Sequence, residues 1–251
     1  MILRFASIIL FSVLFAGTVG AQQTRITDYD SARDRVFYRL YAKVPQYEAT
    51  DIYCGLKFRV DPAVLDLPEN QKTGNPAPWM TAEHAYAAQW MADHFQCGNR
   101  KTCNSSQTPP DTRSDFNHAV ADLHNLWPAV GNLNSARGDR LFGELKDKSK
   151  RTIKPKGQEK TFECDYQQQG ETVQPRRIAR GNLARSIFYM CKEYGLPVDP
   201  AMLVVLKKWN KQDKPTQGER RRNDKIESFQ GTRNPFIDDP LLAETLVCPV
   251  N

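Results

Sequence analysis

Asp122-Leu123-His124-Asn125-Leu126-Trp127-Pro128-Ala129-Val130-Gly131-Asn132-Leu133-Asn134 is the stretch on which the reading of this chain turns. His124 to Trp127 reads as a brief strand, and Pro128 suits the first turn of a following helix, where a missing N–H costs nothing. Asn125 and Asn134 then flank a strand-to-helix passage. At such junctions Asn commonly caps backbone groups. Within a helix, an Asn such as Asn134 has little intrinsic reason to be present. Its position makes sense if the side-chain carbonyl oxygen faces a cation.

Upstream, Glu83-His84 is the pair best suited to join that asparagine. The chain has four histidines, His84, His94, His118 and His124, and a lone histidine is more often structural than catalytic. His84 differs because a carboxylate precedes it and the amide-rich stretch follows downstream. Neighbours on a strand point to opposite faces, whereas a turn or helix start lets both approach one site. The spacing permits a site without proving one.

The stretch at 122–134, followed by Gly138-Asp139-Arg140, resembles the bacterial periplasmic or secreted endonuclease I family. Further matches are Ala179-Arg180-Gly181-Asn182-Leu183-Ala184-Arg185-Ser186-Ile187-Phe188-Tyr189-Met190, then Trp209-Asn210, then Gln230-Gly231 with Asn234-Pro235. The resemblance runs from about Tyr53-Cys54-Gly55 to Asn234-Pro235. It implies a non-specific nuclease with a ββα-metal (His-Me finger) core. Glu83 and Asn134 match the family's metal ligands, and His84 its general base. Arg100 matches an arginine on the scissile or product phosphate, and Asn125 an asparagine supporting the site from the short strand. Ala82 replaces a usual aromatic before the Glu-His pair, and Ala85-Tyr86-Ala87 a usual Val-Val-Pro-like run. Leu56 stands where a second cysteine usually follows Cys54-Gly55, so the disulfide set differs too.

The chemistry agrees with that assignment. One carboxylate and one amide oxygen form a hard, sparse ligand set that suits Mg²⁺, with Ca²⁺ or Mn²⁺ as substitutes. A histidine with an ordinary pKa near 6.5 can take a proton from water at neutral pH. Arg100 offers a planar fork of donors to phosphate oxygens; the alternative is a surface arginine beside a turn. Arg177, Arg180 and Arg185 fall partly along one face of an expected helix. They either track the sugar-phosphate backbone or are solvated or paired with acids. The expected partner is DNA, with RNA left open, and no module for reading base edges is recognisable.

The first 21 residues read as a secretory signal peptide: Arg4, an apolar run from Phe5 to Phe15, then Val19-Gly20-Ala21. Residues 22–251 are then the nuclease domain, periplasmic or secreted, expected to act as a monomer away from the membrane. Loss of that leader lowers the formal charge from +6 to about +5, compatible with a polyanion but no proof of one. All six cysteines lie beyond it, and an even count in an exported chain favours disulfides. Gly98 and Asn99 let the chain turn between Cys97 and Cys103, the one pair expected. Cys54, Cys164, Cys191 and Cys248 stay unassigned, with a free Cys191 open. No CxxC pair suggests structural zinc.

Outward from the central stretch, the chain reads as one mainly helical α+β domain. Helices are expected over 27–45, 83–95, 115–122, 177–194 and 201–212, with another before Gly231. Residues 52–60 are β-prone, 61–78 and 98–110 read as loop, and 146–160 as an exposed basic loop. Two rival functions remain: an exported nucleic-acid-binding protein that has lost turnover on this scaffold, and a zinc hydrolase using His84, His94 and His118 or His124.

Overall fold

The computed structural model describes residues 22–35, 40–41, 50–58, 80–146, 149, 151–154 and 159–250. The expected leader, the loop at 61–78 and parts of 27–45 and 146–160 lie outside these residues. The described chain is mixed helix and sheet, an α+β protein. None of its helices is long and apolar enough to cross a membrane.

A two-stranded antiparallel sheet sits at the centre: β1 (Met80–His84) pairs with β2 (Leu126–Val130). Met80 lies opposite Val130, Glu83 opposite Trp127 and His84 opposite Leu126. Glu83-His84 therefore ends a strand, and the helix expected from Glu83 starts later, as α2 (Ala88–His94). Pro128 lies inside β2 rather than opening a helix. In a two-stranded sheet each strand is an edge, where a residue without an N–H is tolerated. Its carbonyl is used, accepting from the Ile52 N–H at 2.7 Å. The next helix, α5, begins at Gly131 and ends at Arg137. Gly138, at φ +54°, stops it in a conformation that glycine adopts without steric cost.

Between the strands lie α2, α3 (Arg100–Cys103) and α4 (Pro110–Val120), followed by a 3₁₀ turn at Leu123–Asn125. The loop expected over 98–110 thus holds a helical turn. Asn99 caps α3 by accepting from Lys101 and Thr102 N–H groups, and Thr102 Oγ1 accepts the Asn99 N–H in return. On the N-terminal side, α1 (Tyr29–Arg35) is capped by Asp28, whose carboxylate accepts the Ser31 N–H at 2.8 Å. The β-prone Ile52 region is a turn. Asp51 folds it by accepting N–H groups from Tyr53, Cys54 and Leu56, and these local bonds displace a ladder.

Small strands complete the sheet content. β3 (Leu141–Phe142) and β6 (Gln167–Gln169) flank β7 (Thr172–Gln174), while β4 (Arg151–Ile153), inside the stretch expected as basic loop, pairs with β5 (Phe162–Cys164) just beyond it. The last third is helical as expected: α6 (Arg180–Tyr194), α7 (Pro200–Gln212), α8 (Gln217–Gln230) and a short α9 (Pro235–Asp238). Gly181 lets α6 meet the end of α7; a Cβ there would collide with the Asp213 carbonyl oxygen.

The larger hydrophobic core gathers Phe188, Tyr189, Trp209 and Phe236 around Trp127 and Phe142. α8 places Ile226 in a second, smaller core and docks through polar groups as well. Arg222 lies over the Trp127 ring at 3.9 Å and donates to the Leu123 and Leu126 carbonyls. Gln230 accepts the Leu123 N–H. α8 thereby grips the segment that leads into β2. Three disulfides join Cys97 to Cys103, Cys54 to Cys164 and Cys191 to Cys248. The first is the expected pair, and Cys191 is bonded. Closing the 110-residue span between Cys54 and Cys164 removes the most unfolded-chain entropy of the three.

Candidate active site

Glu83 and His84 at the end of β1 line the same cavity as Asn134 and Arg137 of α5. The cavity has a volume of about 320 Å³, and Ala87, Gln89 and Asp139 also border it. Both residues belong to β1, opposite Trp127 and Leu126, and both border this one cavity.

Glu83 is buried, and one of its oxygens is fully engaged. Oε1 accepts from the Tyr53 hydroxyl at 2.7 Å and from Arg137 Nη1 at 2.9 Å. Oε2 takes no hydrogen bond among the described residues. Burial raises the Glu83 pKa, and the Arg137 charge with the Tyr53 hydroxyl bond pulls it back.

His84 is held through Nε2, 2.8 Å from the Val120 carbonyl oxygen. A carbonyl only accepts, so Nε2 carries the proton and Nδ1 is the basic nitrogen. Burial lowers the imidazole pKa to about 4; the Val120 bond opposes this, while the Arg100 and Arg137 charges add to it. His84 is therefore neutral at physiological pH. Its ring stacks on Tyr29, with centroids 5.1 Å apart and planes at 26°.

Asn134 spends its amide N–H groups on β1, donating to Thr81 Oγ1 at 2.9 Å and to the Ala82 carbonyl at 3.2 Å. This fixes the amide orientation and leaves Oδ1 without a hydrogen bond among the described residues. A carboxylate oxygen and an amide oxygen thus remain uncommitted at one cavity, a hard donor pair that fits a divalent cation retaining several waters.

Arg100 is exposed on α3, its guanidinium 4.7 Å from the centroid of the Tyr29 ring. It makes no ion pair among the described residues. Asn125 lies in the 3₁₀ turn before β2 rather than in the strand, and it does not border the cavity. Its Oδ1 accepts the Tyr86 N–H and its Nδ2 donates to the Tyr86 carbonyl, clamping the chain just after His84.

The three arginines near α6 separate. Arg177 is exposed, and Arg180 is half-buried against Trp209, donating to the Pro175 carbonyl. Arg185 is sealed inside the protein, with Nε and Nη2 on the two Glu219 oxygens at 2.7 and 2.6 Å. It also bonds Asn210, Asp213 and Asn182. No donor or surface is left for a phosphate, so Arg185 is a structural tie and the expectation of a backbone contact is corrected.

Three residues around the site escape sequence reasoning. Arg137 braces it by donating to Glu83, to the His84 carbonyl at 2.7 Å and to the Ala85 carbonyl at 2.8 Å. It stands three residues after Asn134 on the same helix face. That spacing was a usable signal, masked because a basic residue before Gly138 also reads as an ordinary helix end. Tyr53 and Tyr29 arrive from distant segments and carry no local signal. The zinc alternative finds no support: among the described residues no three His, Cys, Asp or Glu gather, and His124 is buried against Tyr189.

Known proteins similar to this chain place it among the nucleases. A periplasmic deoxyribonuclease of Aeromonas hydrophila is 30% identical over 207 residues, covering 78% of this chain and 81% of that protein. Endonuclease-1 of Buchnera aphidicola subsp. Baizongia pistaciae is 23% identical over 242 residues, covering 92% and 93%. An extracellular ribonuclease of Bacillus amyloliquefaciens is 36% identical over 143 residues, covering 50% and 46%. The Endonuclease I family model matches residues 27–241, and the chain belongs to that family. It is an endonuclease.

Proposed function

We propose that this enzyme is an exported, metal-dependent endonuclease that hydrolyses DNA with little sequence preference and leaves 5′-phosphate ends. RNA is a second substrate, in keeping with the relative named as a ribonuclease. The reading rests on one observation: Glu83, His84 and Asn134 border a single cavity with Oε2, Nδ1 and Oδ1 uncommitted. β1, β2 and α5 then constitute a ββα-metal core. Export is supported by the leader-like N-terminus, the three disulfides and the periplasmic relative.

Glu83 and Asn134 hold Mg²⁺, with Ca²⁺ or Mn²⁺ as substitutes. When bound, the cation stabilises charge on the phosphate and on the departing 3′ oxygen. His84 accepts a proton from the attacking water on Nδ1 as the new P–O bond forms. The resulting imidazolium keeps its Nε2–H on the Val120 carbonyl, so the ring does not reorient during transfer. Arg100 holds phosphate oxygens through paired donors. Asn125 supports the backbone after His84 and makes no contact with substrate. Arg177, exposed, and Arg180, half-buried, contact backbone phosphates, an interaction that positions without reading sequence.

The test is digestion of plasmid and RNA by purified protein with Mg²⁺, with and without EDTA, followed by analysis of product ends. Cutting should stop in EDTA and return with Mg²⁺. His84→Ala should lower turnover about 10²–10⁴-fold while DNA affinity stays within about threefold. Parallel loss of affinity and turnover would remove His84 from the role of base. Cutting that survives EDTA would remove the metal.

A further inference from the structure

α1 places Tyr29 between the two residues assigned opposite ends of the reaction. One face of its ring stacks on the His84 imidazole, and Arg100 lies 4.7 Å from its centroid. The phenol hydroxyl donates to the Ala82 carbonyl at 3.3 Å, a long bond to the strand that carries Glu83 and His84. α1 is itself anchored beneath: Ile26 and Ala32 are buried, and Gln23 donates to the His118 carbonyl on α4 at 2.8 Å. His118 is two residues before Val120, whose carbonyl holds His84. The N-terminal segment is therefore tied to the same element that orients the base.

From this stack we infer that Tyr29 is a positioning residue, fixing His84 and Arg100 relative to each other so that base and phosphate arm meet at one scissile phosphate. The inference rests on the reading of His84 as base and Arg100 as phosphate ligand. Its physical ground is the sensitivity of a pre-aligned site to displacement. A misplacement of about 1 Å can cost 10²-fold in rate. An imidazole bonded through one nitrogen can still rotate about that bond, and a flat ring against its face removes this freedom. A guanidinium over an aromatic face is likewise confined, held by the negative face of the ring. The flat face is what the role requires, while the hydroxyl is secondary.

Three substitutions separate these parts: Tyr29→Phe keeps the ring, Tyr29→Leu keeps bulk without a π face, and Tyr29→Ala removes both. Tyr29→Phe should retain kcat within about threefold of wild type. Tyr29→Leu and Tyr29→Ala should lower kcat about 10–100-fold, with KM and the Mg²⁺ concentration for half-maximal activity within about threefold. Leu also keeps the test valid if the Ala variant does not fold. Thermal melts and far-UV circular dichroism show which variants are native.

In a His84→Ala background, Tyr29→Leu should lower the residual rate by a smaller factor than it does in the wild type, because only the Arg100 part of its action remains. Equal losses in Tyr29→Phe and Tyr29→Leu would overturn the stacking role. So would a Tyr29→Leu variant with wild-type kcat, or full additivity with His84→Ala. A His84→Ala enzyme that cuts normally would instead sink the underlying base assignment, and this inference with it.

Discussion

Two buried arginine–carboxylate pairs in this protein use the same chemistry to opposite ends. Arg185 and Glu219 form a closed pair: both carboxylate oxygens are taken, and Arg185 also bonds Asn210, Asn182 and the Asp213 carbonyl. Arg137 and Glu83 form an open pair. Among the described residues only Oε1 is bonded, Oε2 is uncommitted beside a cavity, and Arg137 Nε has no hydrogen-bond partner. Saturation costs a buried ion pair nothing further and makes it a lock. Leaving a carboxylate oxygen unpaired in a buried site is costly unless something else arrives to pair it. The open valence, more than the presence of charge, separates the site from the scaffold.

The largest effect should come from breaking the closed pair. Arg185→Ala leaves Glu219 buried without its cation, a loss of about 3–5 kcal/mol. For a protein of this size, each kcal/mol lowers Tm by about 2–4 °C, so a fall on the order of 10 °C is expected. Cleavage per folded molecule at 20 °C should stay within about threefold of wild type, because Arg185 touches neither cavity nor solvent. A variant with unchanged Tm and weakened DNA binding would return Arg185 to the phosphate track.

Opening the other pair should act on function before stability. Glu83→Gln keeps an oxygen for Tyr53 and Arg137 while removing the negative charge. Turnover should fall about 10²–10³-fold, the scale seen when a preorganised electrostatic contact is lost. Calcium affinity, measured by calorimetry without substrate, should weaken at least about tenfold. The fall in Tm should be smaller than for Arg185→Ala, since Arg137 keeps the His84 and Ala85 carbonyls. Near-normal cutting with a large loss of Tm would make Glu83–Arg137 a second structural lock.

Local chemistry made part of this legible in the sequence. The Cys97–Cys103 pair follows from a turn-forming Gly98-Asn99, and the helices after Arg177 follow from apolar periodicity. The central stretch was harder. Pro128 looks like a helix opener, but tertiary contact through its carbonyl to Ile52 fixes it in a strand. Ile52 itself reads as strand until Asp51 gathers its N–H groups. Resemblance marked Glu83, His84 and Asn134, and the structure brings these three to one cavity. The braces around them were illegible for a definable reason. Tyr29, Tyr53 and Val120 meet the Glu83–His84 pair across separations of 30 to 55 residues, and no spacing rule encodes such meetings. Arg185 misled because helical periodicity reports which face a residue occupies, not what packs on that face.

The smallest effect should fall on Arg177, the exposed counterpart to Arg185 at the same end of the molecule. If it contacts a backbone phosphate, Arg177→Ala removes about one released counterion. The slope of log affinity against log salt should then become shallower by about 1. The loss of affinity should be the same for unrelated DNA sequences, because a phosphate contact carries no base information. Tm should be unchanged within about 1 °C, as expected for an exposed side chain outside any network. An unaltered slope would leave Arg100 and Arg180 as the remaining phosphate contacts, with Arg185 and Arg177, one buried and one solvated, outside the interface.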